Sequence, residues 1–201
     1  MKPEIKHSSP FQRGATTVEM ALVLTVFIIL LFAALELGRA MYLWNTLQQV
    51  TRQAARDAIV TDFTDANAMA KIRQNAVFRG TTGTNPGALV AAQEITDAAV
   101  RITYHSIDAG GNLQDVNFTI TPTCPPKVIT DCLAAPNGAT CIRFVQARIC
   151  DPANAAGCDP IKYQAMVLPA FISGFANLHL PVASSIMPAE SLGFRPSMPG
   201  C

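Results

Sequence analysis

The sequence predicts an α+β protein: a long N-terminal transmembrane α-helix extending into an exported domain with a small antiparallel β-sheet and disulfides. Three observations predict it. Met20–Leu35 is sixteen residues without a charge, mostly Leu, Ile, Val, Phe and Ala. All six cysteines, Cys124, Cys132, Cys141, Cys150, Cys158 and Cys201, lie in the C-terminal part of the chain and none accompanies the apolar run. Short alternating apolar stretches dominate the region after residue 88, separated by turn residues and sharing the chain with 14 prolines, which argue against a parallel α/β core.

The helix comes first. A full membrane span needs roughly 20 apolar residues. The uncharged run falls slightly short of that and reaches it when the helix starts at Ala15 and takes in Glu19. A secretory signal would end in a small-x-small cleavage site, whereas this chain continues as good helix. Lys2, Lys6 and Arg13 precede the run against a single Glu4, which predicts an inside N-terminus and an exported remainder. Clustered cysteines in that remainder fit an oxidising compartment. Beyond the run, Leu43, Leu47, Val50, Ala54 and Ala58 recur every three or four residues, the stripe of an amphipathic helix. Glu36 and Arg39 stand on one face at i,i+3 spacing. A continuous helix from about Ala15 to about Ile59 would be on the order of 65–70 Å long, its inner half in lipid and its outer half laying one stripe on the domain.

Glu19 needs a reason. A carboxylate at the edge of a span is costly and such residues usually have a partner. Cleavage after Gly14 would make Ala15 a new N-terminus with a positive amine. Glu19 would then stand a little over one helical turn from that amine, able to neutralise it or that of a neighbouring subunit.

These residues resemble a family. "RGATTVEMALVLTVFIILLFAALELGRAMYLWNTLQQVTRQAARDA" is similar to the N-terminal segment of TadE-like proteins, the TadE/TadG group of minor pseudopilins of the Tad (Flp, tight-adherence) pilus assembly system. The matching features are the "RGA..VE" start, the uncharged run, the "E.GR" exit and the "AAR.A" helix. The resemblance implies processing at Gly14 and Ala15 by an inner-membrane prepilin peptidase, with Glu19 serving pilin-like assembly. Met20 stands where family members commonly carry an aromatic residue, and the chain is much longer than the major Flp pilins. Both features imply a minor component. The implied partners are inner-membrane lipid, the prepilin peptidase, other pilin or pseudopilin subunits and the Tad assembly machinery. The implied location is the bacterial inner membrane, single-pass, with the N-terminus cytoplasmic and the C-terminal domain periplasmic, either staying in the membrane or entering a pilus.

The expected organisation is a positively charged leader over 1–14, removed in the processing scheme above, a transmembrane and extended pilin-like helix over 15–60, and a periplasmic α+β domain over 61–201. The alternative is an uncleaved, singly anchored periplasmic or surface binding module.

Elements of the domain follow in order. "TDFTDANAMAKIRQNAVFRG" predicts a second helix with Thr64 or Asp65 as N-cap, Ala68, Ile72 and Ala76 on one face, and Gly80 as its stop. "GTTGTNPG" lacks the Gly-Lys-Ser/Thr ending of a phosphate loop and reads as a turn. "AAVRITYH", with Val100, Ile102 and Tyr104 on one side, and "DVNFTI" form a hairpin-like pair across Gly110–Asn112. "CIRFVQARIC" sets Ile142, Phe144 and Gln146 against Arg143 and Val145, with "IKYQAMVLP" its expected partner across "DPANAAGCDP". "SSIM" is one more strand candidate.

Six cysteines allow 15 pairings. Cys124 and Cys132 flank a proline-containing loop and Cys150 and Cys158 flank the proposed hairpin loop, which favours bridges within each pair and leaves Cys141–Cys201 to fix the C-terminus. There is no C-x2-C or Cys/His pairing, and His7, His105 and His179 are scattered, so no metal is expected. Neither G-x-S-x-G, H-E-x-x-H nor a P-loop occurs, and His105 beside Asp108 reads as a surface pair rather than a catalytic dyad. The expectation is a non-enzyme with no catalytic residues and no cofactor. A net charge of +1 and a single Trp give no basic groove or stacking platform, so no nucleic acid is expected either.

Overall fold

The structure, a computed structural model, describes residues 12–78, 88–89, 92–116, 118, 124–154, 157–166 and 178–196. Helix α1 runs unbroken over Gln12–Ala58, about 70 Å at 1.5 Å per residue. It is uninterrupted because its interior has no proline and because its threonines are satisfied by the helix itself. Thr25 Oγ1 donates to the Ala21 carbonyl at 2.7 Å and Thr46 Oγ1 to that of Tyr42 at 2.8 Å. An apolar helix can carry such hydroxyls without an unpaired polar group.

From Val18 to Leu35 the large apolar side chains of α1 are exposed; from Leu43 onward the predicted stripe is fully buried at Leu43, Leu47, Val50, Ala54 and Ala58. Helix α2, Ala66–Ala76, packs beside it through Met69, Ile72 and Ala76. Its N-cap is Asp65, whose carboxylate accepts the backbone N–H groups of Asn67 and Ala68 at 2.9 and 3.1 Å. The helix stops before the expected Gly80, which lies outside the described residues. Val77 closes it and Phe78 takes a left-handed φ of 59°.

The sheet has four antiparallel strands in the order β4-β3-β5-β6, with β3 at Val100–Ile107, β4 at Leu113–Asp115, β5 at Phe144–Ile149 and β6 at Ser184–Pro188. A separate antiparallel pair joins β1 (Ala88–Leu89) to β2 (Ala92–Thr96). The β3–β4 hairpin turns where Gly110–Asn112 predicts, and Asp108 organises that turn by accepting the N–H groups of Gly110 and Asn112, both at 2.8 Å. The returning strand begins two residues earlier than "DVNFTI", at Leu113 opposite Ile107. Much of the second half of "DVNFTI" lies outside the described residues.

One strand expectation is corrected. β5 pairs with β3 on one side and with β6 on the other, so "SSIM" rather than "IKYQAMVLP" is the neighbour. Among the described residues of that stretch Lys162 makes an isolated bridge to His179, and 167–169 lie outside them. The inward face of β5 carries Val145, Ala147 and Ile149, while Phe144 and Gln146 are half-buried. Those three face α1, and a sheet buries one side-chain phase against a helix.

Helix α3, Pro125–Ala134, forms where only a proline-containing loop was expected. Pro125 and Pro126 occupy its first turn, where a missing N–H costs nothing and the fixed φ suits a helix.

Two bridges are closed among the described cysteines. Cys150–Cys158 is as expected, with Cα atoms 4.7 Å apart. Cys132 pairs with Cys141, Cα–Cα 4.6 Å, which overturns both Cys124–Cys132 and Cys141–Cys201. The reason is α3. It runs its C-terminal end back toward the start of β5, so Cys132 meets Cys141 while Cys124 sits a helix length away at the N-cap. Cys124 is itself disulfide-bonded, and Cys201 lies outside the described residues.

Candidate functional site

The features that carry chemistry lie along α1, at its inner end and where it meets the domain. At the inner end, Gly14, Ala15 and Glu19 all lie within the first turns of the helix. Gly14 has open space around it, and its carbonyl accepts the Thr17 hydroxyl at 3.1 Å. Glu19 is solvent-facing at the edge of the bare apolar stretch. Along the helix Ala15 and Glu19 are little more than one turn apart.

The second feature is the "E.GR" exit. Glu36 is 4% exposed, an unusual burial for a carboxylate on an otherwise bare helix. Its Oε1 accepts the Tyr163 hydroxyl at 2.5 Å, the backbone N–H of Met166 at 3.3 Å and the Arg39 guanidinium at 3.3 Å. Arg39 also donates to the Gln164 carbonyl at 2.7 Å and pairs with Glu94 at 3.5 Å. Its guanidinium carbon stands 5.1 Å from the centre of the Tyr163 ring. A buried charge is tolerable only when paired and hydrogen-bonded, and this one is both. Burial, the hydrogen bond to Glu36 and that carboxylate's charge push the Tyr163 hydroxyl up to about 12, with Arg39 acting the other way. The i,i+3 pair was visible in the sequence. Its partners, on β2 and on the segment around Tyr163, were not, because nothing local announces a contact with a segment so far along the chain.

The third region is the sheet face around His105. That histidine is buried, and its Nδ1 lies 2.8 Å from Asp115 Oδ1 while its Nε2 lies 3.1 Å from Thr103 Oγ1. The expected pairing with Asp108 is therefore corrected. His105 faces Asp115 directly across the β3–β4 ladder, and Asp108 is engaged in its own turn. The turn's backbone and side-chain N–H groups hold the Asp108 carboxyl below the usual carboxylate range, those of Asn112 most. Among the described residues, no group of three or more His, Cys, Asp or Glu converges as a metal site would.

No curated protein and no solved structure matches the chain. The described residues do hold one helix long and apolar enough to cross a membrane, α1. A family model matches that same helix: residues 14–56 match the TadE-like protein family, over about a fifth of the chain, beginning at Gly14 and ending two residues before α1 does.

Proposed function

We propose that this chain is a membrane-anchored minor pseudopilin-like protein that takes part in Tad/Flp pilus assembly, adhesion or secretion, processed by a prepilin peptidase after Gly14. One observation carries the reading: the TadE-like segment coincides with a single helix that is bare and apolar over its first half and packed into a disulfide-bearing domain over its second. That division supports an anchor whose outer half presents a folded module. Positive residues ahead of the span support an inside N-terminus and a periplasmic domain. In this reading Glu19 neutralises the Ala15 amine, its own or a neighbour's, and the protein acts by assembly rather than by catalysis.

N-terminal sequencing of the membrane form tests processing. A mature start at Ala15 is the expected result, and an intact Met1 in cells that process their other pilins would sink it. Glu19→Ala tests the role of the carboxylate. Unchanged pilus assembly would remove the pilin-like mechanism and leave the alternative of a tethered binding module.

A further inference from the structure

The exposed surface of α1 does not turn polar where the domain begins. Among the described residues Glu36 is the first of α1 to be buried, yet the residues that α1 leaves exposed from there to Trp44 are Leu37, Gly38, Met41, Tyr42 and Trp44. None of them carries a charge or a side-chain amide. The change comes one residue later, and Asn45, Gln49, Arg52, Gln53 and Arg56 then fill the exposed face. Over about 12 Å of helix, one side is covered by protein while the other is apolar and bare.

The length of that overlap identifies what covers the bare side. From Glu19 to Glu36 the helix rises about 25 Å and from Glu19 to Trp44 about 37 Å. A bilayer's hydrocarbon is about 30 Å thick, and about 40–45 Å with both headgroup layers. A span entered at Glu19 therefore brings Glu36 close to the outer hydrocarbon edge and Tyr42 and Trp44 into the outer headgroup layer. Amphipathic aromatic rings concentrate at that depth. An independent observation comes from the domain itself. Met166, whose backbone N–H binds Glu36, is 70% exposed at the same level.

Resting on the reading of α1 as a membrane span, we infer that the domain is seated in the lipid headgroup layer rather than held clear of it. Leu37, Met41, Tyr42 and Trp44 of α1 and Met166 of the domain form its lipid-facing ring. The Glu36–Arg39–Tyr163 network lies just inside that ring. There its burial by protein removes an otherwise uncompensated carboxylate from contact with lipid.

Trp44 is the only tryptophan in the chain, so its fluorescence reports this site directly. The full chain is reconstituted in phosphatidylcholine–phosphatidylglycerol vesicles carrying a quencher either near the headgroup or near the acyl-chain end. The expected result is a blue-shifted Trp44 emission lost mostly to the shallow quencher. Met166→Trp in a Trp44→Phe background should behave the same way. Leu30→Trp in that background serves as the depth reference and should be quenched by the deep label. If the Leu30→Trp reference is quenched deep while Trp44 or the Met166→Trp probe is untouched by either label, the seating is overturned and the span stands. A blue-shifted Trp44 that neither lipid label reaches, together with cross-linking to a second copy or another subunit, assigns the face to protein and also overturns it. An unquenched Leu30→Trp reference removes the span itself, and the seating with it.

Discussion

The two halves of α1 are one continuous helix in two environments. From Val18 to Leu35 its large apolar side chains are exposed, with Leu22, Val23 and Leu30 about two-thirds exposed. After Glu36 it has a sharp stripe, with Leu43, Leu47 and Val50 wholly covered by the sheet and α2. The first half is apolar all round, whereas the second keeps its apolar residues to one stripe and carries Asn45, Gln49, Arg52, Gln53 and Arg56 on its exposed face. An all-round apolar helix asks for an apolar surrounding, whereas a striped one asks for a partner on one side. The buried stripe of the second half contributes to the stability of the domain, and in the proposed reading the first half anchors it.

The largest test of that division is a matched pair of truncations. Leu47→Ala should cost the domain about 2–5 kcal/mol, the range for a fully buried leucine. Leu30→Ala should leave the domain's unfolding midpoint where it was. Denaturant titration of the detergent-solubilised chain, followed by near-ultraviolet circular dichroism, measures both. Equal losses would mean that the two halves are not energetically separate.

The bridges sharpen the same contrast from the domain side. Cys132–Cys141 and Cys150–Cys158 close short loops, at separations of 9 and 8 residues. Loops of that size constrain the unfolded chain by about 2–3 kcal/mol each. A Cys150→Ser/Cys158→Ser variant should lower the domain's unfolding free energy by that amount. The helical signal of the bare half, in far-ultraviolet circular dichroism, should persist through the domain transition.

Arg39 stands at the junction, so its removal probes both halves. Arg39→Ala leaves the Glu36 carboxylate buried with one hydroxyl and one N–H, and should cost about 1–3 kcal/mol. Arg39→Lys should recover part of this, because a lysine keeps the charge but cannot reach Glu36, Gln164 and Glu94 together in a fork. Thermal melts of the two variants against the parent chain decide it.

How much of this was legible in the sequence follows the same boundary between local and distant contacts. The stripe of α1 could be read because every member lies three or four residues from the next. Asp65 as a cap and the Asp108–Asn112 turn could be read because their bonds span two to four residues. The buried face of β5 could not be read because both of its faces are partly apolar. Ile142 and Phe144 advertise one phase, and Val145 and Ile149 hold the other, so only the helix packed on the sheet chooses. Pro125–Pro126 suggested a loop although two prolines are tolerated in the first turn of a helix, and overlooking α3 displaced the Cys132 pairing. Glu36 and Arg39 were visible as a pair, while Tyr163 and Glu94 were not, being distant in sequence. The inner end is different in kind. In the proposed reading the roles of Gly14, Ala15 and Glu19 would depend on an enzyme and on neighbouring subunits, to which neither the fold nor the stripe speaks.

The smallest effect is a pH dependence, and it isolates the junction from both halves. Tyr163 ionises at about 12 in the folded chain against an ordinary 10.0, because burial and the neighbouring Glu36 carboxylate disfavour the phenolate. A folded-state value above the unfolded one means that the unfolded chain gives up its proton first as pH rises. The stabilisation is therefore complete below about pH 10 and is lost as pH climbs toward 12. Tyr104 contributes a slope of the same sign, since burial raises its hydroxyl as well. The difference between the parent chain and Tyr163→Phe removes that contribution and leaves the junction alone. Unfolding midpoints between about pH 9 and pH 12 should fall less steeply in Tyr163→Phe than in the parent. At neutral pH the variant should already be somewhat less stable, for want of the hydroxyl that Glu36 accepts. Parallel slopes would place the Tyr163 hydroxyl in solvent, and Glu36 would then depend on Arg39 and the Met166 N–H alone.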